Sequence, residues 1–337
     1  MAEVIVVTGA SAGLGRAIVE RFARDGSSIA LIARGRDRLE AARASVEALG
    51  GRALVLPLDV ADADAVESAA QRVEQELGPI DVWINNAMVS VYSPIKDTPA
   101  DEFRRVTEVT YLGYVHGTLA ALRRMLPRDR GIIIQVGSAL AHRSIPLQAA
   151  YCASKHAIMG FHESLLSELV HDGSRVRATM VQMPAMNTPQ FDWAKSRLPH
   201  EVQPVPPIFQ PEVGADAVHH AVRHDVGREL LVAWPTVKAV VGEKFVPAYI
   251  DRTLGDSGYA SEQTSVPADP DRPDNLWEPV PGDFGAHGRF DNRARAASAE
   301  LWLAKRKPWI ALAGATIAGA ALARLSGRPA TRAGDRS

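Results

Sequence analysis

Tyr151 and Lys155 stand four residues apart in Ala149-Ala150-Tyr151-Cys152-Ala153-Ser154-Lys155-His156-Ala157, a stretch that reads as one helix. Residues at i and i+4 share a helix face, which sets the ammonium beside the phenol. A free phenol titrates near about 10. A cation a few ångströms away favours the phenolate and lowers that value. The pair would then donate or accept a proton near neutral pH. Such a pair also arises by chance in a chain of 337 residues, so its surroundings decide what it means.

Those surroundings are regular up to about Leu231. Val4–Val7, Ser28–Ala33, Ala53–Pro57, Val82–Ile84, Ile132–Val136, Val176–Val181 and Glu229–Val232 read as strands. They are apolar on both faces, as in a parallel sheet covered on two sides. Helix-length segments lie between them: Gly13–Asp25, Arg36–Leu49, Ala63–Leu77, Ala100–Met125 with a break near Gly113, Ala149–His171 and Glu212–His224. This alternation predicts an α/β fold with a doubly wound parallel sheet of about seven strands.

The first strand runs into Thr8-Gly9-Ala10-Ser11-Ala12-Gly13-Leu14-Gly15-Arg16, a strand, glycine-rich turn and helix. Glycines permit a tight turn and close backbone approach, and the helix N-terminus offers free N–H groups to a pyrophosphate. The second strand ends at Arg34, with Arg36 and Arg38 nearby. A site for NAD usually places an acid there to hold the ribose 2′-hydroxyl. A guanidinium instead suits a 2′-phosphate, so NADP is expected in preference to NAD.

Bulk properties exclude several classes. A net charge of −1, with 46% hydrophobic and 23% charged residues, fits a soluble globular protein and argues against nucleic acid as a partner. The single cysteine, Cys152, allows no intrachain disulfide or thiolate metal cluster, and no metal site is expected. No basic segment precedes Val4–Val7, so no signal peptide is expected, and a catalytic region that uses NADP is expected to face the cytoplasm, with attachment to a membrane through the C-terminal tail left open.

With the glycine turn, the Tyr151/Lys155 pair and Ser138 in Ile132-Ile133-Ile134-Gln135-Val136-Gly137-Ser138, residues 2–235 resemble the short-chain dehydrogenase/reductase family. The branch is the one carrying T-G-x-x-x-G-x-G and Y-x-x-x-K. The resemblance implies a Rossmann-type NADP-binding catalytic domain over residues 1–235, built to move a hydride between nicotinamide and a carbonyl or secondary alcohol. Thr8, Gly9, Ser11, Gly13, Leu14 and Gly15 would form the phosphate turn. Asp59 and Val60 would contact adenine, and Asn86 and Ala87 of Asn85-Asn86-Ala87 would flank the cofactor. Ser138 would bind the substrate oxygen and Tyr151 would transfer the proton. Lys155 would hold the nicotinamide ribose and depress the Tyr151 pKa. Three departures stand out: Met88 replaces a glycine, Thr110 replaces the asparagine that holds a relay water, and Pro184-Ala185 replaces Pro-Gly. Thr110 is taken as a substitute relay residue and Thr188 as a contact of the nicotinamide amide. Helix-paired homo-oligomers are usual in the family.

Pocket walls are expected from Ala139–Gln148, which includes His142, and from Met186–Phe209. The second stretch carries Phe191, Trp193, Phe209 and the prolines Pro199, Pro204, Pro206 and Pro207, and suits a bulky or lipophilic substrate. The alternative function is a catalytically silent NADP-binding sensor or scaffold, tethered through its tail. After Trp234 the pattern changes to a Pro-rich extension, residues 236–307. It holds an amphipathic helix near Val237–Tyr249, irregular chain over Gly255–Gly288 that is either disordered or wrapped over the domain, and a basic helix-like stretch over Arg289–Lys307. An apolar run, Trp309–Ala323, then spans roughly 22 Å as a helix, against about 30 Å of bilayer core. Three readings of the segment 308–325 stay open: a short membrane anchor, an interfacial helix, or a packing helix.

Overall fold

A computed structural model describes residues 2–306, so the segment 308–325 lies outside the described residues. One compact unit runs through Ser298, and residues 236–298 belong to it together with the sheet. A second begins at Ala299 with a short helix, Ala299–Ala304. No helix among the described residues is long and apolar enough to cross a membrane.

Seven parallel strands make the sheet: β1 (Val4–Thr8), β2 (Ser28–Ala33), β3 (Arg52–Pro57), β4 (Val82–Asn85), β5 (Ile132–Ser138), β6 (Arg177–Met183) and β7 (Glu229–Leu231). Their order is β3-β2-β1-β4-β5-β6-β7, the doubly wound arrangement, with its switch point between β1 and β4. Ligands of such sheets bind at the carboxyl ends of the strands beside that point. The strands are apolar on both faces because both are covered. Val4, Val6, Ala30, Ile32 and Trp83 share one core cluster with Val66 and Val73 of the helix Ala63–Glu76 and Leu165 of the helix Ala149–His171. The helices Gly13–Ala23, Arg36–Ala48 and Pro211–Arg223 serve the opposite face.

The expected break near Gly113 is a π turn, Glu108–Leu112, between the helices Ala100–Thr107 and Gly113–Met125. The extension differs more from its sequence pattern. Two helices, Trp234–Phe245 and Pro247–Ser261, are followed by a strand, Gln263–Pro267, paired antiparallel with His200–Val202 of the flap. Residues 268–298 are irregular and wrap the sheet domain. The basic stretch after Arg289 is helical only over Ala299–Ala304, because its backbone is used otherwise: Arg295 N–H donates to the Ile208 carbonyl at 2.9 Å, and its own carbonyl accepts from Gln210 at 2.9 Å.

Candidate active site

The turn after β1 is built for backbone proximity. Gly9 and Gly13 hold φ of +68° and +57°, where a side chain is strained. A Cβ on Gly15 would lie 2.0 Å from the Gly9 carbonyl oxygen, so only glycine fits. Ala12, at the N-cap of the following helix, supplies no side-chain cap, so amides beyond Gly13 are left for an anion. Thr8 has a bracing role and does not line the cleft: its hydroxyl accepts from the Asn86 and Ala87 amides at 2.9 and 3.1 Å. Asn86 returns the contact through Nδ2 to the Thr8 and Gly9 carbonyls, which ties β4 to the turn. Asn85 is fully buried and gathers Trp83, Thr118 and Gln135 into one polar knot behind the cleft.

Ser138, Tyr151 and Lys155 meet at the other end of the same cleft. Ser138 closes β5, and its hydroxyl hydrogen-bonds the Tyr151 phenol. Lys155 is 2% exposed; its ammonium donates to the Val136 carbonyl at 2.8 Å and to the Tyr114 hydroxyl at 3.1 Å. The electrostatics revise the sequence expectation. Burial pushes the Tyr151 phenol well above its usual range, more than the Ser138 hydrogen bond lowers it. Burial also pulls Lys155 down to about 7. The ammonium lies 5.5 Å from the Tyr151 ring centroid and makes its hydrogen bonds elsewhere, so it does not offset the desolvation of the phenol.

The Thr110 side chain is committed to the backbone of Val89. It is fully buried, its hydroxyl donates to the Val89 carbonyl at 2.9 Å and accepts from the Val89 amide at 3.1 Å, and it does not line the cleft. The side chain that does touch Lys155 is Tyr114, one helical turn further on, whose hydroxyl donates to the Val136 carbonyl at 3.0 Å. The i+4 spacing from Thr110 was a usable signal for it. His142 likewise faces away from the cleft, toward Gln182 and Glu229. Thr188 does line the cleft, against the Gly13 turn.

The opposite end is covered by the extension. Arg34 donates to the carbonyls of Asn275, Leu276 and Trp277 at 2.5, 3.3 and 2.7 Å. Arg38 is buried, donates to the Val280 carbonyl, and stacks on Trp193 and Phe284 at 4.6 and 4.7 Å. Asp59 pairs with buried Arg105, which also donates to Leu276 at 3.1 Å. Leu276 itself is fully buried in the main core, and Pro279 packs beside Gly35 and lines the cleft. The Gly13 amide donates to the Gly285 carbonyl at 2.9 Å. Residues 275–285 thus form a strap over the strand ends where the resemblance puts adenosine, a contact absent from the local patterns of either segment.

Together these walls enclose one cleft of about 390 Å³. It includes the glycine turn, Arg34, Asp59, Val60 and Ala87 at one end and the Ser138/Tyr151/Lys155 cluster at the other. Its span from the glycine turn to the Ser138/Tyr151/Lys155 cluster suits a dinucleotide laid along the strand ends. A cleft at the switch point of a doubly wound sheet, ending in a serine–tyrosine–lysine cluster, is the layout of a nucleotide-dependent oxidoreductase.

Residues 3–197 match the family model for short chain dehydrogenase, and the chain belongs to that family. A short chain dehydrogenase of Pseudocercospora fijiensis is 40% identical over 170 residues, which are 50% of this chain and 55% of the relative. An uncharacterized oxidoreductase of Bacillus subtilis, YxnA, is 28% identical over 316 residues, covering 92% of this chain and 87% of that protein. That alignment reaches beyond the catalytic region into the extension. Among solved structures, an alcohol dehydrogenase of the archaeon Thermococcus sibiricus, complexed with 5-hydroxy-NADP, superposes with a TM-score of 0.59. It is 28% identical and covers 68% of this chain and 96% of its own.

Proposed function

We propose that the protein is an NADP-dependent oxidoreductase that moves a hydride between nicotinamide and a carbonyl or secondary alcohol of a bulky, lipophilic compound. The observation that carries this reading is the Ser138/Tyr151/Lys155 cluster at the end of a cleft that begins at the glycine turn and Arg34. The choice of NADP is supported by a guanidinium at the end of β2 where a carboxylate would repel a 2′-phosphate. The neighbouring alcohol dehydrogenase bound to an NADP analogue agrees with it. The lipophilic substrate is supported by Tyr92, Leu140, Ile145, Phe191, Pro204 and Pro206 along the cleft wall.

When bound, the nicotinamide supplies or takes the hydride; the protein supplies orientation and proton handling. The glycine turn would hold the pyrophosphate, Asp59 and Val60 the adenine, and Lys155 the nicotinamide ribose. Ser138 and Tyr151 address the substrate oxygen. Because burial keeps Tyr151 protonated, it stands ready to give its proton to the oxygen as alkoxide character develops, which favours the reductive direction. Lys155, titrating near about 7, can exchange a proton at physiological pH. Positioned acid–base help of this kind is worth typically about 10²–10⁴-fold in rate.

The test is NADPH oxidation against long-chain aldehydes, ketones and quinones, with Tyr151→Phe as control. Turnover by the wild type and near-complete loss in the variant, with NADPH binding retained, is expected. NADPH binding without turnover on the whole panel, or on long-chain secondary alcohols with NADP⁺, would favour the sensor reading instead.

A further inference from the structure

The wall of the substrate end contains a buried carboxylic acid that the chemistry above does not use. Glu262 is fully buried at the end of the helix Pro247–Ser261, just before the strand that pairs with the flap. Its Oε2 accepts from Gln148 Nε2 at 2.8 Å, and its Oε1 has no hydrogen-bond partner. The remaining ionisable groups that face it are Tyr92, from the short strand Val91–Tyr92, and Cys152, from the helix Ala149–His171. Burial raises both of them, so both are neutral. Arg272 acts on Tyr92 but makes its own hydrogen bonds to the Phe191 and Ala194 carbonyls. Among the described residues no cation therefore compensates a Glu262 carboxylate, and burial raises its pKa to about 8.

Gln148 is the other half of the arrangement. It lines the cleft with Tyr151, is 8% exposed, and stands at the N-cap of the helix that carries Tyr151 three residues on. Leu147, immediately before it, holds φ of +65°, a conformation strained for a branched side chain. The Leu147 carbonyl is pinned by the Ser93 amide at 2.8 Å. Gln203, another lining residue, clamps the Glu262 segment: its amide N–H donates to the Glu262 carbonyl at 3.0 Å and its side chain to the Gln263 carbonyl at 2.7 Å. The backbone on both sides of the pair is fixed.

We propose that Gln148 recognises a second oxygen function on the substrate, close to the reacting carbonyl, and that Glu262 is a positioning residue whose protonation decides which end of the Gln148 amide the pocket meets. A carboxylate can only accept, so it holds Nε2 and turns Oε1 toward the cleft. A neutral carboxyl must place its proton on an acceptor, and the Gln148 amide oxygen is the one within reach; the amide then presents N–H to the cleft. The favoured substrates are therefore dicarbonyls below the Glu262 pKa and hydroxyketones above it. This inference rests on the oxidoreductase reading for its substrate class.

The experiment measures KM for 2,3-decanedione and 3-hydroxy-2-decanone, with NADPH and the full chain, from pH 6.5 to 9.5. Both probes share the reacting carbonyl, so titration of Tyr151 or Lys155 cancels in the ratio of their KM values. In the wild type the hydroxyketone-to-diketone ratio should fall about tenfold as pH rises, the worth of one hydrogen bond. Glu262→Gln should flatten that profile with kcat changed only a few-fold. Gln148→Leu should flatten it and remove the preference. A pH-dependent ratio that persists in either variant, or a flat wild-type ratio, overturns the proposal. If no probe is turned over, the oxidoreductase reading fails separately. Tryptophan fluorescence then reads binding of the same probes to the NADP⁺-saturated protein, where the same shift supports the proposal and its absence, or no binding, overturns it.

Discussion

Leu276→Ala tests whether the strap over the cofactor end is held by its own anchor or merely lies on a finished domain. Leu276 is fully buried among core residues of the sheet domain, yet it belongs to an irregular segment more than 40 residues beyond β7. Truncating a buried leucine to alanine costs about 2–5 kcal/mol, depending on how far the site collapses. If the strap opens as a local unit, that cost falls on the opening step. The opening constant then rises about 30-fold at the lower limit and several thousand-fold at the upper, at 1.4 kcal/mol per decade. Native-state hydrogen exchange reads this directly. The Asn275 amide, which donates to the Trp193 carbonyl at 3.0 Å, and the Gly288 amide, which donates to Asn187 at 3.2 Å, should lose protection by that factor. Amides of β1 and β4 should change far less. Equal acceleration in strap and sheet would mean that Leu276 is part of the cooperative core and that there is no separable strap. Unchanged exchange at Asn275 would refute the reasoning as well.

Further outcomes follow from the same geometry. Arg34→Ala should raise KM for NADPH by about 10–100-fold, the loss of one or two charge-assisted hydrogen bonds to a phosphate, and leave KM for NADH nearly unchanged. Equal weakening of both cofactors would show that Arg34 serves the strap carbonyls and not a 2′-phosphate. Lys155→Met removes a base whose folded pKa, about 7, lies below its ordinary 10.5. Below pH 7 both folded and unfolded wild type carry the charge, and its burial opposes folding by at most on the order of 4–5 kcal/mol. Between about 7 and 10.5 the folded state has released a proton that the unfolded state still binds, so wild-type stability rises with pH. Urea unfolding should therefore find Lys155→Met more stable at pH 6, with the gap narrowing toward pH 10; a gap that widens with pH would contradict the assignment. Thr110→Val should lower stability, because the Val89 amide and carbonyl lose their partner, with little change in the pH profile of NADPH-dependent turnover. A profile displaced by a full pH unit would restore Thr110 to the proton path.

The sheet and the glycine turn could be read from local patterns because each depends on short-range rules. Strand runs with two apolar faces imply a covered parallel sheet, and a glycine turn after the first of them marks the phosphate end. The Tyr151/Lys155 pair could be noticed from its spacing alone, and Ser138 could be added because the chain resembles a family that carries it at the end of this strand. The pKa values could not be read that way. Spacing set an ammonium beside a phenol, whereas folding buried both and turned the ammonium to Val136 and Tyr114. The partner of the Thr110 hydroxyl was hidden for a similar reason: it is the Val89 backbone, 21 residues away in sequence, met through a π turn.

The sequence by itself determined the sheet, the dinucleotide-type turn and the three residues grouped at its far end. Only the tertiary structure decided what the extension does. No periodicity announces that Leu276 fills the core, that three carbonyls meet Arg34, or that Glu262 stands behind Gln148, since each is a contact between segments more than 100 residues apart. Irregular chain carries no repeat to betray its partner; its place is set by the apolar and charged groups the finished domain leaves exposed, and those exist only once it has folded.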